Sequence, residues 1–397
     1  MLYVLGLSGA MAIAQEPEPQ RWTVSSAAAL LTYVDAIEAH GLQSADYAPE
    51  ALRHAITSAD PADIEHHATR TFGLVARDLA QGHVHPGYRG RSFIVSDPLQ
   101  PERVARLIDQ AIAMRDVAGV LDRLAPQVRQ YRLLRQALAT LPLGREGDRN
   151  RIKASLERWR WLPRDLGDRY LLVNIPEYRL RLIEGGAEAV SHRVVVGSTR
   201  TPTPQFNTIV TGVVFNPSWH VPQSIVAESL GALIRSSPST ARARGYAWRR
   251  AGSRLQVTQQ PGPNNALGQM KLDMPNPLAI YVHDTPNKSL FDESARTFSH
   301  GCLRTEHPFD LATALLKGSE WNRPRVDALI SGGKTTVVPL TRPLPFYAIY
   351  LTAVADADGT IHYHEDPYSL DADLVTQLHG GRESASVRIE RAGISIS

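Results

Sequence analysis

The sequence predicts a multidomain α and β chain, with an all-helical N-terminal domain followed by a mostly-β domain that carries an inserted, lid-like segment. Three observations predict this. Through 22–142, apolar residues recur at helical spacing between breaks marked by Pro and Gly. Near Asp168 the pattern changes to the two-residue period of strands. Within that second region, 224–258 begins as helix (IVAESLGALI) and then turns basic and irregular, which reads as an insertion.

In the first region, Leu30, Val34 and Ile37 form one helical face, with Gly41 as a C-cap. Asp60-Pro61 opens a second helix in N-cap and first-turn style, with Ile64, Ala68, Phe72, Val75 and Leu79 along its apolar face and Gly82 at its end. Pro101-Glu102 starts a third, carrying Val104, Leu107 and Ile108, and further pattern runs through Leu121, Val128 and Leu134. A polar break over 141–150 leads to a short helix, RIKASLERWRWLP, which Pro163 stops, so 143–166 reads as linker plus short helix.

The β domain is expected over 167–342. Strands are predicted at Tyr170 to Val173, at Leu180 and Leu182 alternating with arginines, and at Arg193 to Val196. Gly185-Gly186 supplies a turn, and Thr208 to Phe215 and Ala279 to His283 complete the set. A C-terminal β extension, 343–397, has two strand-like runs joined by Asp358-Gly359.

Composition is that of an ordinary globular protein of two or three domains. Net charge is only +3 and basic residues are scattered, so nucleic acid is not an expected partner. The first residues form a short apolar run ending in Ala12-Ile13-Ala14, the pattern of a signal peptide over 1–14 and of export to the periplasm. Export makes the single cysteine, Cys302, conspicuous, because oxidising compartments favour paired cysteines or none.

Cys302 ends Phe-Ser-His-Gly-Cys, 298–302, with Arg304 two residues on. A thiol acts as a nucleophile only as thiolate, so it needs a base or a positive field. His283, at the end of a strand-like run, and His300, two residues before the thiol, are both candidates for the base. The backbone N–H groups of Gly301, Cys302 and Leu303 could form an oxyanion hole.

Together with the upstream His-Asp-Thr-Pro, 283–286, these residues resemble the L,D-transpeptidase family with a YkuD-type catalytic domain, cysteine enzymes that remodel bacterial peptidoglycan. The match is nearest to the larger YcbB-like branch. It extends over ERWRWLP, NIPEYRLRL, VVGSTRTPTP, FNPSWHVP, PGPNNALGQMKLDMPN, the C-terminal extension and a helical scaffold segment, HGLQSADYAPEAL. The resemblance implies Cys302 as nucleophile, His283 as general base with the Asp284 carbonyl orienting it, and His300 in support. It implies a peptide-binding role for Arg304 and places Ser299, Tyr281, Trp219 and Asn265 around the cleft. The implied reaction is acyl transfer from a tetrapeptide stem through a cysteine acyl-enzyme, giving 3→3 cross-links, without metal or organic cofactor and with carbapenems as acylating inhibitors. Expected partners are peptidoglycan stem peptides and other cell-wall synthesis proteins, and the expected state is a monomer. Large members of the branch carry a small peptidoglycan-binding module between scaffold and catalytic domains. Here about ten polar residues stand in that place, and the module is missing.

Alternatives are an L,D-carboxypeptidase, with water as acceptor, and a non-catalytic scaffold protein that binds cell wall. His66-His67, His83-x-His85 and His362-x-His364 lack the spacing of a catalytic zinc site. A papain-like enzyme would place its cysteine at a helix start, whereas Cys302 follows a Gly-containing strand or loop.

Overall fold

The computed structural model describes residues 21–252 and 254–380. The expected signal segment lies outside them. Among the described residues, the first domain is built from the α-helices α1 (Val24–Asp35), α2 (Pro49–Ser58), α3 (Pro61–Gln81), α4 (Pro101–Ala113), α5 (Val117–Asp122), α6 (Arg129–Thr140) and α7 (Glu146–Trp161). Capping follows the sequence signals. Asp60 accepts from the N–H groups of Ala62 and Asp63, and Gly82 ends α3 at φ +90°. At Gly41 the detail differs: α1 stops at Asp35, and a separate 3₁₀ turn, Ile37–His40, reaches the glycine.

The expected linker is structural core. α7 starts at Glu146, so only 141–145 joins it to α6, and no module intervenes. Its second half is buried on all sides, including Glu157 and Arg160. The Glu157 carboxylate accepts from His83 N, Val84 N, Arg160 and Trp161 Nε1. Five or so donors around one carboxylate are what make a buried charge tolerable.

The second domain contains β1 (Ser92–Phe93, lent by the helical region), β2 (Arg169–Asn174), β3 (Arg179–Glu184), β4 (Ala187–Gly197), β5 (Gln205–Phe215), β6 (Trp219–His220), β7 (Tyr246–Ala251), β8 (Arg254–Gln259), β9 (Met270–Asp273), β10 (Val282–His283), β11 (Thr297–Ser299), β12 (Leu303–Thr305) and β13 (Thr336–Ile349). The main path runs β5-β13-β2-β3-β4-β12-β10-β9, and β9 pairs again with β5, which closes the ring. Closure removes the free edges that an open sheet of this length would expose. Helices Pro308–Leu315 and Arg323–Ser331 cover it, with Leu311, Ala312, Leu315 and Val326 buried.

The boundary expected at 342/343 falls inside β13, a single strand that pairs with both β5 and β2. Residues 343–349 are therefore part of the ring. Beyond it, β14 (Ala353–Ala355) and β15 (Ile361–Tyr363) form the expected hairpin, with Gly359 at φ +95° in its turn. The basic half of the insertion is not irregular. β7 and β8 form a hairpin that joins β6, and Trp219, Tyr246, Trp248 and Val257 pack with Val226, Leu230 and Ile234 into a small core of their own. The two-residue period there is broken by Arg249 and Arg250, consecutive exposed residues of which Arg250 stands on the same face as Trp248.

Strand alternation also joins the two domains. On β2 and β13, Leu171, Val173, Phe346 and Ala348 face the ring interior, while Leu172, Tyr347 and Ile349 share the core of the helical domain. Ser155 Oγ of α7 accepts from Ala353 N at 3.0 Å.

Candidate active site

Strand register assembles the site. β10 runs parallel to β12 with His283 opposite Arg304, and antiparallel to β9 with His283 opposite Lys271. Directly opposed residues point to one face of a sheet, as do residues two apart. Lys271, His283 and Arg304 therefore form a row, with Tyr281 and Cys302 one step along it. The ladder bond from Leu303 N to Tyr281 O, at 2.9 Å, fixes that step.

His283 is buried, and its Nδ1–H donates to the Asp284 carbonyl at 2.5 Å. A ring protonated at Nδ1 presents its lone pair on Nε2, the form a general base requires. Burial, reinforced by the Arg304 charge, lowers its pKa to about 3, so the ring is neutral at physiological pH. The Asp284 side chain has a different task. Its carboxylate accepts from Gln269 N at 2.8 Å, Thr285 N at 2.7 Å and Lys288 Nζ at 2.5 Å. Gly268, at φ +62°, lies so close that a Cβ there would meet Asp284 Oδ2 at 2.2 Å. Only glycine permits that loop to close over the carboxylate.

Cys302 is half-buried, with Sγ 3.9 Å from the carbonyl of Ala279, a residue at φ +52°. Burial pushes the thiol above its ordinary range, and the Tyr281 backbone, Arg304 and Lys271 pull it back in part. The resting pair is therefore neutral thiol and neutral imidazole.

The turn before Cys302 is braced from behind. Gly301 takes φ +113°, open to glycine alone, and its carbonyl accepts from Thr203 Oγ1 at 2.8 Å. Ser198 N and Thr201 Oγ1 donate to the Ser299 carbonyl. Tyr368, from the C-terminal segment, donates to Gly197 O at 2.7 Å and accepts from Thr203 N at 3.2 Å. Sequence reading missed Thr203 and Tyr368. Their partners are backbone atoms far away in the chain, for which side-chain spacing carries no signal.

Several expected roles need correction. The Gly301 N–H is spent on Ser299 Oγ at 3.0 Å and the Leu303 N–H on Tyr281, so neither is free for an oxyanion. Ser299, expected at the cleft, closes its own turn, donating to the Cys302 carbonyl at 2.6 Å. Asn265 is buried, with Nδ2 shared among the carbonyls of Pro217, Gln259 and Gln260 and Oδ1 accepting from Leu267 N. It shapes a loop and has no atom left for substrate. His300 is half-exposed and bonds Glu228 of the insertion at 3.0 Å, so it tethers the insertion to the turn before Cys302. Trp219 is partly buried against the insertion core.

Lys271 was not foreseen. It sits between buried Met270 and Leu272, the alternation of a strand with one face open, and its Nζ lies 4.1 Å from the centre of the Tyr281 ring. A separate cavity of about 620 Å³, lined by Asp78, His83, Tyr88 and Arg89 among others, includes none of these residues.

Comparison with known proteins places this closed β ring, with its glycine-braced cysteine and carbonyl-oriented histidine on one face. Residues 168–327 match the model of the L,D-transpeptidase catalytic domain, YkuD, and residues 19–138 match that of the Scaffold domain. The chain therefore carries a YkuD-type L,D-transpeptidase catalytic domain behind a Scaffold domain. A Haemophilus influenzae protein, provisionally named an L,D-transpeptidase, is 29% identical over 276 residues, 64% of this chain and 56% of its own length. The chain thus spans about half the length of that curated relative. Among solved structures, an L,D-transpeptidase from Mycobacterium smegmatis is 12% identical, covering 46% of this chain and 58% of its own with a TM-score of 0.25. An Enterococcus faecium L,D-transpeptidase is 11% identical, covering 47% and 52% with a TM-score of 0.23.

Proposed function

We propose that this protein is a cysteine-dependent peptidoglycan L,D-transpeptidase, exported to the periplasm, that forms 3→3 cross-links from a tetrapeptide donor stem. The supporting observation is the cross-strand register that sets Cys302, His283 and Arg304 on one face, with the His283 Nδ1 proton committed to the Asp284 carbonyl.

The reaction begins with proton transfer from the Cys302 thiol to His283 Nε2 as sulfur attacks the carbonyl carbon of the third stem residue. The Cys302 N–H, which has no partner among the described residues, donates to the developing oxyanion. Collapse breaks the C–N bond, and terminal D-alanine leaves with the proton held by His283. The side-chain amine of a second stem then attacks the thioester. Its proton passes through His283 to the departing thiolate, which restores the enzyme. Carbapenems would acylate the same sulfur.

The test is incubation with purified disaccharide-tetrapeptide, followed by mass analysis. The expected products are a cross-linked dimer, free D-alanine and a covalent adduct on Cys302, all absent in Cys302→Ala. Tripeptide without dimer would make the protein an L,D-carboxypeptidase. Turnover persisting in Cys302→Ala would refute cysteine catalysis.

A further inference from the structure

The row that carries the candidate base holds two cations with no anion between them. Among the described residues, neither Lys271 nor Arg304 makes an ion pair or a hydrogen bond, and Arg304 Nε is buried without a partner. Both side chains are half-buried, and burial lowers the pKa of each. The nearby carboxylate, Asp273, accepts from Thr211 Oγ1 at 3.0 Å and stays beyond ion-pair distance of Lys271 Nζ. Half-buried positive charges without a counter-ion cost free energy unless something anionic visits them. The Tyr281 ring under Lys271 Nζ holds the ammonium over the step that Cys302 shares. Strands about 4.8 Å apart put the Cα atoms of Lys271 and Arg304 on the order of 10 Å from each other, with the base between them. Two long side chains can meet across that gap on one carboxylate.

We propose that Lys271, together with Arg304, receives the free carboxylate of the residue that leaves from the donor peptide. The inference rests on the reading above for the identity of the donor, but the anion site itself does not. Lys271 is then a specificity-determining residue. It favours donors whose scissile bond is followed by a terminal carboxylate, and it holds the leaving residue so that the scissile carbonyl faces Cys302 Sγ. Bringing in that carboxylate also neutralises the cations that help the thiolate, so proton transfer passes to His283.

The test uses the whole protein and two alkylating probes of similar size, anionic iodoacetate and neutral iodoacetamide. Any general change in thiol reactivity cancels in the ratio of their rates on Cys302. Lys271→Met should lower the iodoacetate-to-iodoacetamide ratio about tenfold to a hundredfold, the range for losing a hydrogen bond to a charged group. Lys271→Arg should largely retain it, and acetate should protect wild-type Cys302 from iodoacetamide but not the Lys271→Met variant. With peptide donors, wild type should prefer a tetrapeptide acid over its C-terminal amide, and Lys271→Met should lose that preference mainly in KM. An unchanged alkylation ratio in Lys271→Met, or no protection by acetate, would overturn the anion site. A changed ratio in a protein that processes no tetrapeptide would leave the anion site standing and refute the transpeptidase reading.

Discussion

At the scale of single residues, the candidate site holds a neutral imidazole and a neutral thiol rather than a standing ion pair. The imidazole of His283 is kept uncharged by burial and by Arg304, with its pKa at about 3, and the Cys302 thiol is pushed up by burial. The pH dependence follows with a definite sign. Iodoacetamide alkylation of free enzyme should rise with pH and go on rising beyond the ordinary thiol range, with no inflection near the usual histidine value. Arg304→Gln should displace the curve further toward high pH, because a charge that favours the thiolate is gone. A plateau already reached at neutral pH would show a preformed thiolate–imidazolium pair and contradict this account. The residues legible in sequence at this scale, Cys302, His283 and Arg304, share a property. Each stands in a short motif whose neighbours in the chain are also its neighbours in space. The oxyanion assignments to Gly301 and Leu303 failed because a backbone N–H can be counted from sequence, whereas the acceptor that consumes it cannot.

At the scale of elements, α7 shows how far pattern reading can mislead. A short helix is legible there from the sequence, but not its depth: the charged Glu157, Arg158 and Arg160 are all buried. Burial alone would raise the Glu157 pKa, but Arg160, Arg89 and the Val84 N–H outweigh it and hold the carboxyl at about 2. Glu157→Gln should cost about 3–5 kcal/mol in denaturant unfolding, since it leaves the Arg160 guanidinium buried without its counter-charge. A loss under about 1 kcal/mol would mean that the network is not a structural pivot. The insertion makes the complementary point. Its hairpin is hidden because Arg249 and Arg250, both exposed, interrupt the apolar alternation that Tyr246 and Trp248 begin. The His300–Glu228 bond then ties this element to the turn before Cys302.

At the scale of the whole molecule, the two domains share their hydrophobic interior. Leu172, Tyr347 and Ile349 project from the ring into the helical core, and Arg158 of α7 pairs with Asp371 at 2.5 Å. We expect one cooperative transition: helical circular dichroism and amide-exchange protection of β13 should be lost together. Leu172→Ala should shift both signals equally, by about 2–4 kcal/mol. Separate midpoints would mean that the domains are independent folding units. Tyr368 extends this coupling to the chemistry, since the C-terminal segment holds the loop that braces Cys302.

What the sequence determined by itself is local: helix starts and stops, the change of period near Asp168, and a cysteine motif specific enough to name a family. These depend on capping, on side-chain period and on residues adjacent in the chain. What only the tertiary structure decided is whatever needs two distant segments at once. Closure of the ring through β9 and β5, the row of Lys271, His283 and Arg304, and the burial of α7 are of this kind. The physical reason is that strand register and polar partnership are pairwise quantities. Neither strand of a pair encodes alone which residue will face it, so Lys271 acquires its place beside the sulfur only when β9, β10 and β12 are laid side by side.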